Sequence, residues 1–149
     1  MARRAPLPPV VLALGLILMT ALHVLAPGPR LSASPLRWLG LLPLCAGIAL
    51  NLAADSLIKR HGTTVRPFEE SAALVTGGVY RLSRNPMYLG FVLLVLGVAV
   101  LLGSLGPFVV VVAMPFVLKA LYVRTEEAML AERFGAEWAA YRARVRRWI

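Results

Sequence analysis

Residues that carry disulfide and metal chemistry are scarce in this chain of 149 residues. It has one cysteine, Cys45, and two histidines, His23 and His61, which lie far apart in sequence. A lone cysteine excludes an intramolecular disulfide and a cysteine-based metal site, and the histidines lack the spacing of metal ligands. We therefore predict no metal, a structural or interfacial role for each histidine, and a buried apolar role for Cys45.

Charged residues are also few, and acidic ones are the scarcest. Only 15% of the residues are charged while 59% are hydrophobic, a composition that predicts an integral membrane protein. There are 7 acidic residues against 16 lysines and arginines, which gives a net charge of +9. These cations flank apolar segments instead of forming one stripe on a soluble domain, so we predict anionic lipid as their partner and no nucleic acid.

Four apolar segments predict four transmembrane helices in one domain that covers residues 1–149. At ~1.5 Å per residue each segment covers roughly 24 to 29 Å, close to the thickness of a membrane core. Glycine and proline in residues 103–107 predict a tight hairpin between the last two helices. Arg3 and Arg4 precede the first segment as in a signal peptide, but its length favours a retained span. The predicted spans are about residues 10–26, 36–54, 87–102 and 108–123.

Basic residues are distributed unevenly between the two predicted membrane faces. Only Arg30 and Arg37 fall on one face. Lysine and arginine are enriched in cytoplasmic loops, so both termini and the long connection between the second and third spans are predicted to be cytoplasmic. The cations of this face are Arg3, Arg4, Lys59, Arg60, Arg66, Arg81, Arg84, Arg124 and the arginines of the tail.

Residues 77–90 place two arginines and two tyrosines at the start of the third span. Asn85-Pro86 predicts a helix start, because proline is tolerated at the first helical position and an asparagine side chain can cap. The free N–H groups of that start would face Arg81 and Arg84, a combination that suits a small anion. Alternatively, the arginines are topology signals and the tyrosines belong to an interfacial belt.

Polar side chains elsewhere at the membrane leave two further alternatives. Asn51 and Asp55 are four residues apart on one helical face, where they either line a pocket or leave Asp55 to pair with Lys59. The adjacent carboxylates Glu126 and Glu127 are unfavourable beside anionic lipid unless a cation lies nearby. That cation would be Arg84, Arg124, or a bound sulfonium and ammonium.

The tail has an amphipathic pattern with a predicted break at Gly135. Such a helix would lie on the bilayer, where it either roofs a cofactor pocket or serves only as an anchor. Its apolar positions recur every three or four residues, at Leu130, Phe134, Trp138, Tyr141, Val145 and Trp148.

Together these motifs resemble the isoprenylcysteine carboxyl methyltransferase and phospholipid methyltransferase family. Arg84-Asn85-Pro86 stands where eukaryotic members have Arg-His-Pro, which is similar to bacterial members and implies a bacterial inner membrane. The resemblance covers about residues 50–149, and motif order and spacing make it specific. It rests on Thr63-Thr64-Val65-Arg66-Pro67, residues 77–90, Glu126-Glu127 and the tail from Phe134 to Ile149.

The resemblance implies an enzyme that carries the methyl group of S-adenosylmethionine to a membrane lipid or a lipidated small molecule. The predicted catalytic residues are Arg81, Arg124 and Glu127. The two arginines, together with Tyr80, are candidates for orienting a polar acceptor. The implied cofactor-binding residues are Tyr80, Arg84, Asn85, Pro86, Tyr88, Gly90, Glu126 and Glu127.

Three functions stay open at this point. The resemblance favours O-methylation of an isoprenylcysteine-type carboxylate over N-methylation of a phospholipid amine. A non-catalytic membrane protein that binds a lipid or partner through its tail is the alternative from another class. Arg84, Tyr88 and the Glu126-Glu127 pair favour the enzyme, since an anchor needs none of them at these positions.

Overall fold

The computed structural model describes residues 5–31, 35–62 and 73–149, and these residues form an all-helical protein. Arg3 and Arg4, and the motif from Thr63 to Pro67, lie outside the described residues. Short 3-10 turns at Leu36–Gly40 and Gly78–Arg81 precede the second and third helices. The helices are α1 (Pro8–Leu25), α2 (Leu41–Arg60), α3 (Pro86–Leu102), α4 (Phe108–Leu118) and α5 (Arg124–Arg144).

All four apolar segments predicted as spans are helical. Among the described residues, three helical stretches are long and apolar enough to cross a membrane, namely Pro8–Leu25, Leu36–Arg60 and Phe108–Arg144. The fourth, α3, is apolar but has only 17 residues. The protein is therefore an all-α integral membrane protein in which three candidate spans meet the length criterion.

Helices α2 and α3 pack unusually closely because glycines face each other across their contact. A Cβ atom added at Gly40 would lie 2.5 Å from the carbonyl oxygen of Gly97, and one at Gly47 would lie 2.6 Å from that of Gly90. From Gly40, which directly precedes α2, to Gly47 the contacting glycine of α3 changes from Gly97 to Gly90. Residue numbers therefore run in opposite directions along the two helices, which are antiparallel. Small residues of this kind let helix backbones approach closely inside a membrane.

The central core is formed by α1, α3 and α4 around fully buried side chains such as Met19, Val95 and Leu118. Many large apolar side chains on the outside are exposed, for example Ile17 and Phe116, as expected of a surface that faces lipid. Cys45 is also exposed, so the prediction that it is buried in the protein was wrong. Its segment is apolar because it forms the outer surface of α2.

At one end of the helices, backbone hydrogen bonds join the residues after α1 to the turn between α3 and α4. The N–H of Gly106 donates to the carbonyl of Pro27 at 2.9 Å, and the N–H of Leu105 to that of Pro29 at 3.1 Å. His23 Nδ1 lies 2.7 Å from Oγ of the buried Ser104. The predicted hairpin between the last two spans is confirmed, and His23 has the predicted structural role.

The last long helix changes geometry twice on its way from α4 to the tail. Pro115 interrupts the hydrogen bonding of α4, and a π-helical turn at Lys119–Val123 joins it to α5. Gly135 has φ 44° and ψ −112°, so the break predicted there is confirmed. α5 ends at Arg144, and Val145 continues in an extended conformation.

Candidate active site

The other end of the helices joins the start of α3 to the junction of the π turn with α5. The hydroxyl of Tyr88 donates a 2.6 Å hydrogen bond to Glu126 Oε1. The ring of Tyr88 also stacks on that of Tyr122, with centroids 5.7 Å apart and planes at 13°. The hydroxyl of Tyr122 in turn donates to the carbonyl of Pro6, which brings the start of α1 to the same end.

Glu126 is partly buried among tyrosines. Burial raises the pKa of its carboxyl group, and the hydrogen bond from Tyr88 opposes this shift only in part. Tyr80 is buried nearby, and burial, the neighbouring Tyr141 and the charge of Glu126 raise the pKa of Tyr80. A carboxylate beside aromatic rings is a combination that attracts a cation.

The adjacent Glu127 has the opposite environment, because it is surrounded by cations. Arg147 Nη2 lies 2.6 Å from Oε2 of Glu127, and Arg147 Nε lies 3.1 Å from each oxygen of that carboxylate. Arg84 Nη2 lies 3.2 Å from Oε1, and Asn85 Nδ2 donates to the same oxygen at 3.4 Å. Burial raises the pKa of Glu127, but these contacts outweigh it and hold the pKa below its usual value.

Arg84 is the most enclosed cation of the site, with a side chain that is only 7% exposed. Its Nη1 donates to the carbonyl of Arg142 at 3.3 Å, and its guanidinium lies 5.6 Å from the ring centre of Trp138. Among the described residues, its buried Nε has no hydrogen-bond partner. A buried donor without a partner costs free energy, so an acceptor that reached this nitrogen would relieve that cost.

Asn85 precedes α3, but its side chain does not cap the helix, and that part of the prediction was wrong. Its Nδ2 donates to Glu127 and, at 3.3 Å, to the carbonyl of Arg147, and these contacts hold the side chain so that its oxygen caps no N–H of α3. Pro86 occupies the first turn as predicted. The first N–H groups of α3 therefore have no side-chain cap and remain donors toward an anion.

The tail folds back over this end of the helices. The hydroxyl of the buried Tyr141 donates to the carbonyl of Tyr80 at 2.7 Å, and Trp138 is 4% exposed. Trp148 packs against the central core. The apolar positions that predicted a face on the bilayer thus include residues that contact the protein itself.

Not every predicted site residue joins the cluster. Arg81 and Arg124 are both exposed, and neither forms a hydrogen bond or ion pair with Glu126 or Glu127. Gly90 lies in the contact of α2 with α3, where an added Cβ would overlap the amide of Asn51. The cluster itself contains Tyr80, Arg84, Asn85, Pro86, Tyr88, Glu126 and Glu127.

The polar pair on α2 has a local explanation. Asp55 Oδ2 lies 2.6 Å from Lys59 Nζ, so the predicted pairing one helical turn apart is confirmed. Asn51 donates to the carbonyl of Gly47 at 2.9 Å. Neither contact belongs to the glutamate cluster.

The hydroxyl of Ser83 donates to the carbonyl of Arg147 and accepts from the N–H of Asn85, so Ser83 also belongs to the site. The sequence did not predict four residues of the site, which are Ser83, Trp138, Tyr141 and Arg147. Trp138 and Tyr141 were recognised as part of an apolar face, but their contacts with residues 80–84 were not. Arg147 stands among several tail arginines, and nothing in the local pattern distinguishes it from Arg146. Within the described ranges, no three His, Cys, Asp or Glu side chains are grouped so that they could hold a metal.

Comparison with known proteins adds evidence beyond this geometry. Residues 36–137 match the family described as phospholipid methyltransferase. The protein-S-isoprenylcysteine O-methyltransferase of Schizosaccharomyces pombe is 39% identical over 75 residues, which is 48% of this chain and 30% of that protein. A solved structure of a eukaryotic intramembrane Ras methyltransferase, an isoprenylcysteine carboxyl methyltransferase, matches with a TM-score of 0.70 and 24% identity. That match covers 95% of this chain and 51% of the other, so the fold is shared while the chain spans only part of both relatives.

Proposed function

Because the chain belongs to the phospholipid methyltransferase family, we propose that it transfers a methyl group from S-adenosylmethionine to a lipid-borne acceptor. The observation that carries the proposal is the pairing of α3 with α5, in which Tyr88 contacts Glu126 and Arg84 contacts Glu127. This pairing creates a site with one anionic and one cationic part. S-adenosylmethionine supplies a methyl group on a positively charged sulfur, and an acceptor lone pair takes that methyl as the carbon–sulfur bond breaks.

The residues present fit both charges of this cofactor. Glu126, with Tyr80 and Tyr88 beside it, suits the sulfonium or the amino group, because a carboxylate and aromatic faces both attract cations. The unpartnered Nε of Arg84 and the uncapped start of α3 suit the carboxylate. We propose that Asn85 and Pro86 act by shaping that helix start, and that Gly90 acts by allowing the close approach of α2.

The two glutamates are proposed to have different tasks. Glu127 is already balanced by Arg84 and Arg147, so a cofactor cation would gain little from it. Glu126 accepts from Tyr88 through Oε1, and no other described residue makes a hydrogen bond or ion pair with its second oxygen, which we propose for a cation. We therefore assign Glu126 to the cofactor and Glu127 to the placement of Arg84 and Asn85.

An isoprenylcysteine-type carboxylate is the proposed acceptor, as the similarity to the Schizosaccharomyces pombe protein suggests. A carboxylate already carries the lone pair that takes the methyl group, so no general base is needed. The protein has to align the reacting atoms and exclude water. Arg81, in the turn before α3, and Arg124, the first residue of α5, are both exposed. We propose that they orient the acceptor carboxylate.

A phospholipid amine is the second candidate acceptor, and the environment of Glu126 favours it. An ammonium group has no lone pair and must lose a proton before methylation. A carboxyl group with a raised pKa is a better base than an ordinary one, and burial raises the pKa of Glu126. The description of the matched family agrees with this chemistry.

The membrane arrangement we propose has four spans, with α3 as the short one, and both termini in the cytoplasm of a bacterial cell. At ~1.5 Å per residue α3 covers roughly 25 Å, enough for a thin hydrocarbon core. In this arrangement the starts of α1 and α3, the end of α2 and the junction of α4 with α5 face the compartment that makes S-adenosylmethionine. The acceptor would then approach from the lipid.

The decisive experiment is a labelled-methyl assay with the full chain in lipid nanodiscs. Separate reactions contain S-adenosylmethionine with an S-farnesyl cysteine derivative or with phosphatidylethanolamine. Base releases the label as methanol from a methyl ester and does not release it from a methylated amine. We expect base-labile label in the prenylcysteine, whereas base-stable label in the phospholipid would establish the amine. No label with either acceptor, together with no calorimetric binding of S-adenosylmethionine, would overturn the proposal in favour of a lipid-binding protein.

A further inference from the structure

The turn before α3 is tied to the last residues of the chain by backbone and side-chain hydrogen bonds. The N–H of Arg84 donates to the carbonyl of Arg146 at 3.0 Å. The Ser83 hydroxyl and the Asn85 amide both donate to the carbonyl of Arg147, at 3.0 and 3.3 Å. We call these contacts the C-terminal clasp. They join residues more than sixty positions apart, so the tail fixes the geometry of the α3 start.

The side chain of Arg147 completes the clasp through Glu127. Its guanidinium makes a forked contact with both carboxylate oxygens, the planar geometry that only arginine offers. The Glu127 side chain is 12% exposed and that of Arg147 is 31% exposed. The same carboxylate also holds Arg84 and Asn85. One glutamate thus connects the tail to the two residues that directly precede α3.

We propose that Arg147 is a positioning residue. By hydrogen-bonding both carboxylate oxygens of Glu127, it holds Arg84 and the start of α3 in the arrangement that binds the cofactor. The inference rests on the proposed function for the identity of the ligand. The ordering of Arg84 by the tail follows from the contacts alone. Arg147 is assigned no contact with the cofactor or the acceptor.

Charge and burial explain why this arginine matters more than its neighbours. Without the guanidinium, Arg84 is the one cationic partner that Glu127 keeps among the described residues, and its second oxygen loses its bonds to Arg147. Removing one partner of an enclosed ion pair leaves the other group incompletely satisfied, which costs more than the pair itself contributes. The clasp then depends on Trp148 and on the backbone hydrogen bonds to hold the tail in place.

Arg146 is the matched control, because it differs from Arg147 in position and not in charge. Its side chain is exposed, and its contribution to the clasp comes from the backbone carbonyl, which Arg146→Ala retains. Arg147→Ala and Arg146→Ala therefore remove the same charge from the same segment. Arg147→Lys keeps the charge but loses the fork, which provides a conservative rescue.

Amide hydrogen exchange on the protein in detergent, without cofactor, tests the clasp independently of activity. In Arg147→Ala we expect exchange in residues 79–90 and 138–149 to accelerate about 10-fold or more, since these bonds open locally. Peptides that cover Gly40, Gly47 and Gly97 in the contact of α2 with α3 serve as the folding control and should not change. Arg146→Ala should match wild type, and Arg147→Lys should lie between them.

Binding and kinetics then test the positioning role. For Arg147→Ala we expect an increase of about 10-fold in the Kd and KM for S-adenosylmethionine with kcat within a few-fold of wild type. Equal effects of Arg147→Ala and Arg146→Ala, or unchanged exchange in Arg147→Ala, would overturn the proposal. Accelerated exchange with unchanged Kd and KM would overturn positioning and leave a structural anchor. If wild type binds no S-adenosylmethionine, the proposed function fails, and the exchange data alone decide whether Arg147 orders Arg84.

Discussion

Tyr88 and Glu126 lie 38 positions apart in sequence and are joined by a 2.6 Å hydrogen bond. The bond links the first turn of α3 to the first turn of α5, so the two stretches that carry most of the motif residues become one site. It also leaves a carboxylate with a raised pKa directly beside Glu127, whose pKa is lowered. Opposite shifts in adjacent groups are typical of residues with different chemical tasks.

Glu126→Gln should weaken the binding of S-adenosylmethionine more than that of S-adenosylhomocysteine. The sulfur of the second compound is uncharged, so it gains less from the carboxylate and the surrounding tyrosines. We expect a loss of about 10-fold for S-adenosylmethionine, typical of one charged contact. Calorimetric titration with both ligands measures the ratio. Glu132→Gln, which changes an exposed carboxylate, is the control; equal losses for both ligands would assign Glu126 to the amino group instead.

The affinity for S-adenosylmethionine should rise with pH through the raised pKa of Glu126. Protonation removes the negative charge, and because the pKa lies above the ordinary value of 4.5, the neutral form persists to higher pH than usual. Titrations between about pH 5 and pH 8 should therefore show tighter binding at the upper end. Glu126→Gln should abolish this dependence. A pH dependence of equal size in the variant would place the titrating group elsewhere.

Helices and their approximate ends could be predicted from sequence because hydrophobic runs and breakers are local signals. Proline at the start of α3 and glycine at its end, where Gly103 has φ 71°, mark the helix on both sides. The kink at Gly135 has the same local origin. Cys45 shows the limit, since an apolar run does not reveal whether protein or lipid covers each of its faces.

Four residues of the site, Ser83, Trp138, Tyr141 and Arg147, could not be predicted, because the contacts with the tail depend on long-range packing. Asn85 is a good cap in isolation, but the contacts of its Nδ2 with Glu127 and the Arg147 carbonyl hold the side chain so that its oxygen caps no N–H of α3. Arg146 and Arg147 are identical in local pattern, yet only Arg147 reaches Glu127 with its side chain. Distinctions of this kind arise from the direction of the chain after Val145, which no sequence period encodes.

Gly90→Ala should destabilise the protein through the contact of α2 with α3. The new methyl group would overlap the amide of Asn51 and would lie 2.9 Å from the carbonyl of Gly47. Overpacking of this kind costs about 1–3 kcal/mol and should lower the thermal midpoint in detergent. Gly77→Ala is the matched control, because φ there is −91° and no atom lies within 4 Å of the added carbon. Equal midpoints for the two variants would contradict close packing at Gly90.

Both termini should lie in the cytoplasm, as the distribution of basic residues indicates. A reporter that is active only in the cytoplasm, fused after Ile149, should be active, and one that is active only outside should be silent. The reverse pair of signals should appear when the reporters are inserted between α3 and α4, at Leu105, which is exposed. Activity outside the cytoplasm after Ile149 would place the site on the wrong side for S-adenosylmethionine.

Arg84→Ala should weaken S-adenosylmethionine binding while the protein stays inserted and folded. The variant loses the unpartnered Nε that we assign to the cofactor carboxylate, together with the contacts to Glu127 and Trp138. One charge-assisted contact is worth about 1.5 to 3 kcal/mol, which corresponds to a dissociation constant roughly 10- to 150-fold weaker. Decarboxylated S-adenosylmethionine has no carboxylate. It therefore distinguishes an Arg84 that binds the cofactor carboxylate from an Arg84 that only keeps Glu127 in place. If Arg84 and the α3 start hold that group, the analogue should bind wild type weakly and lose little further affinity in the variant. An equal loss for both ligands would mean that Arg84 acts only by keeping Glu127 in place.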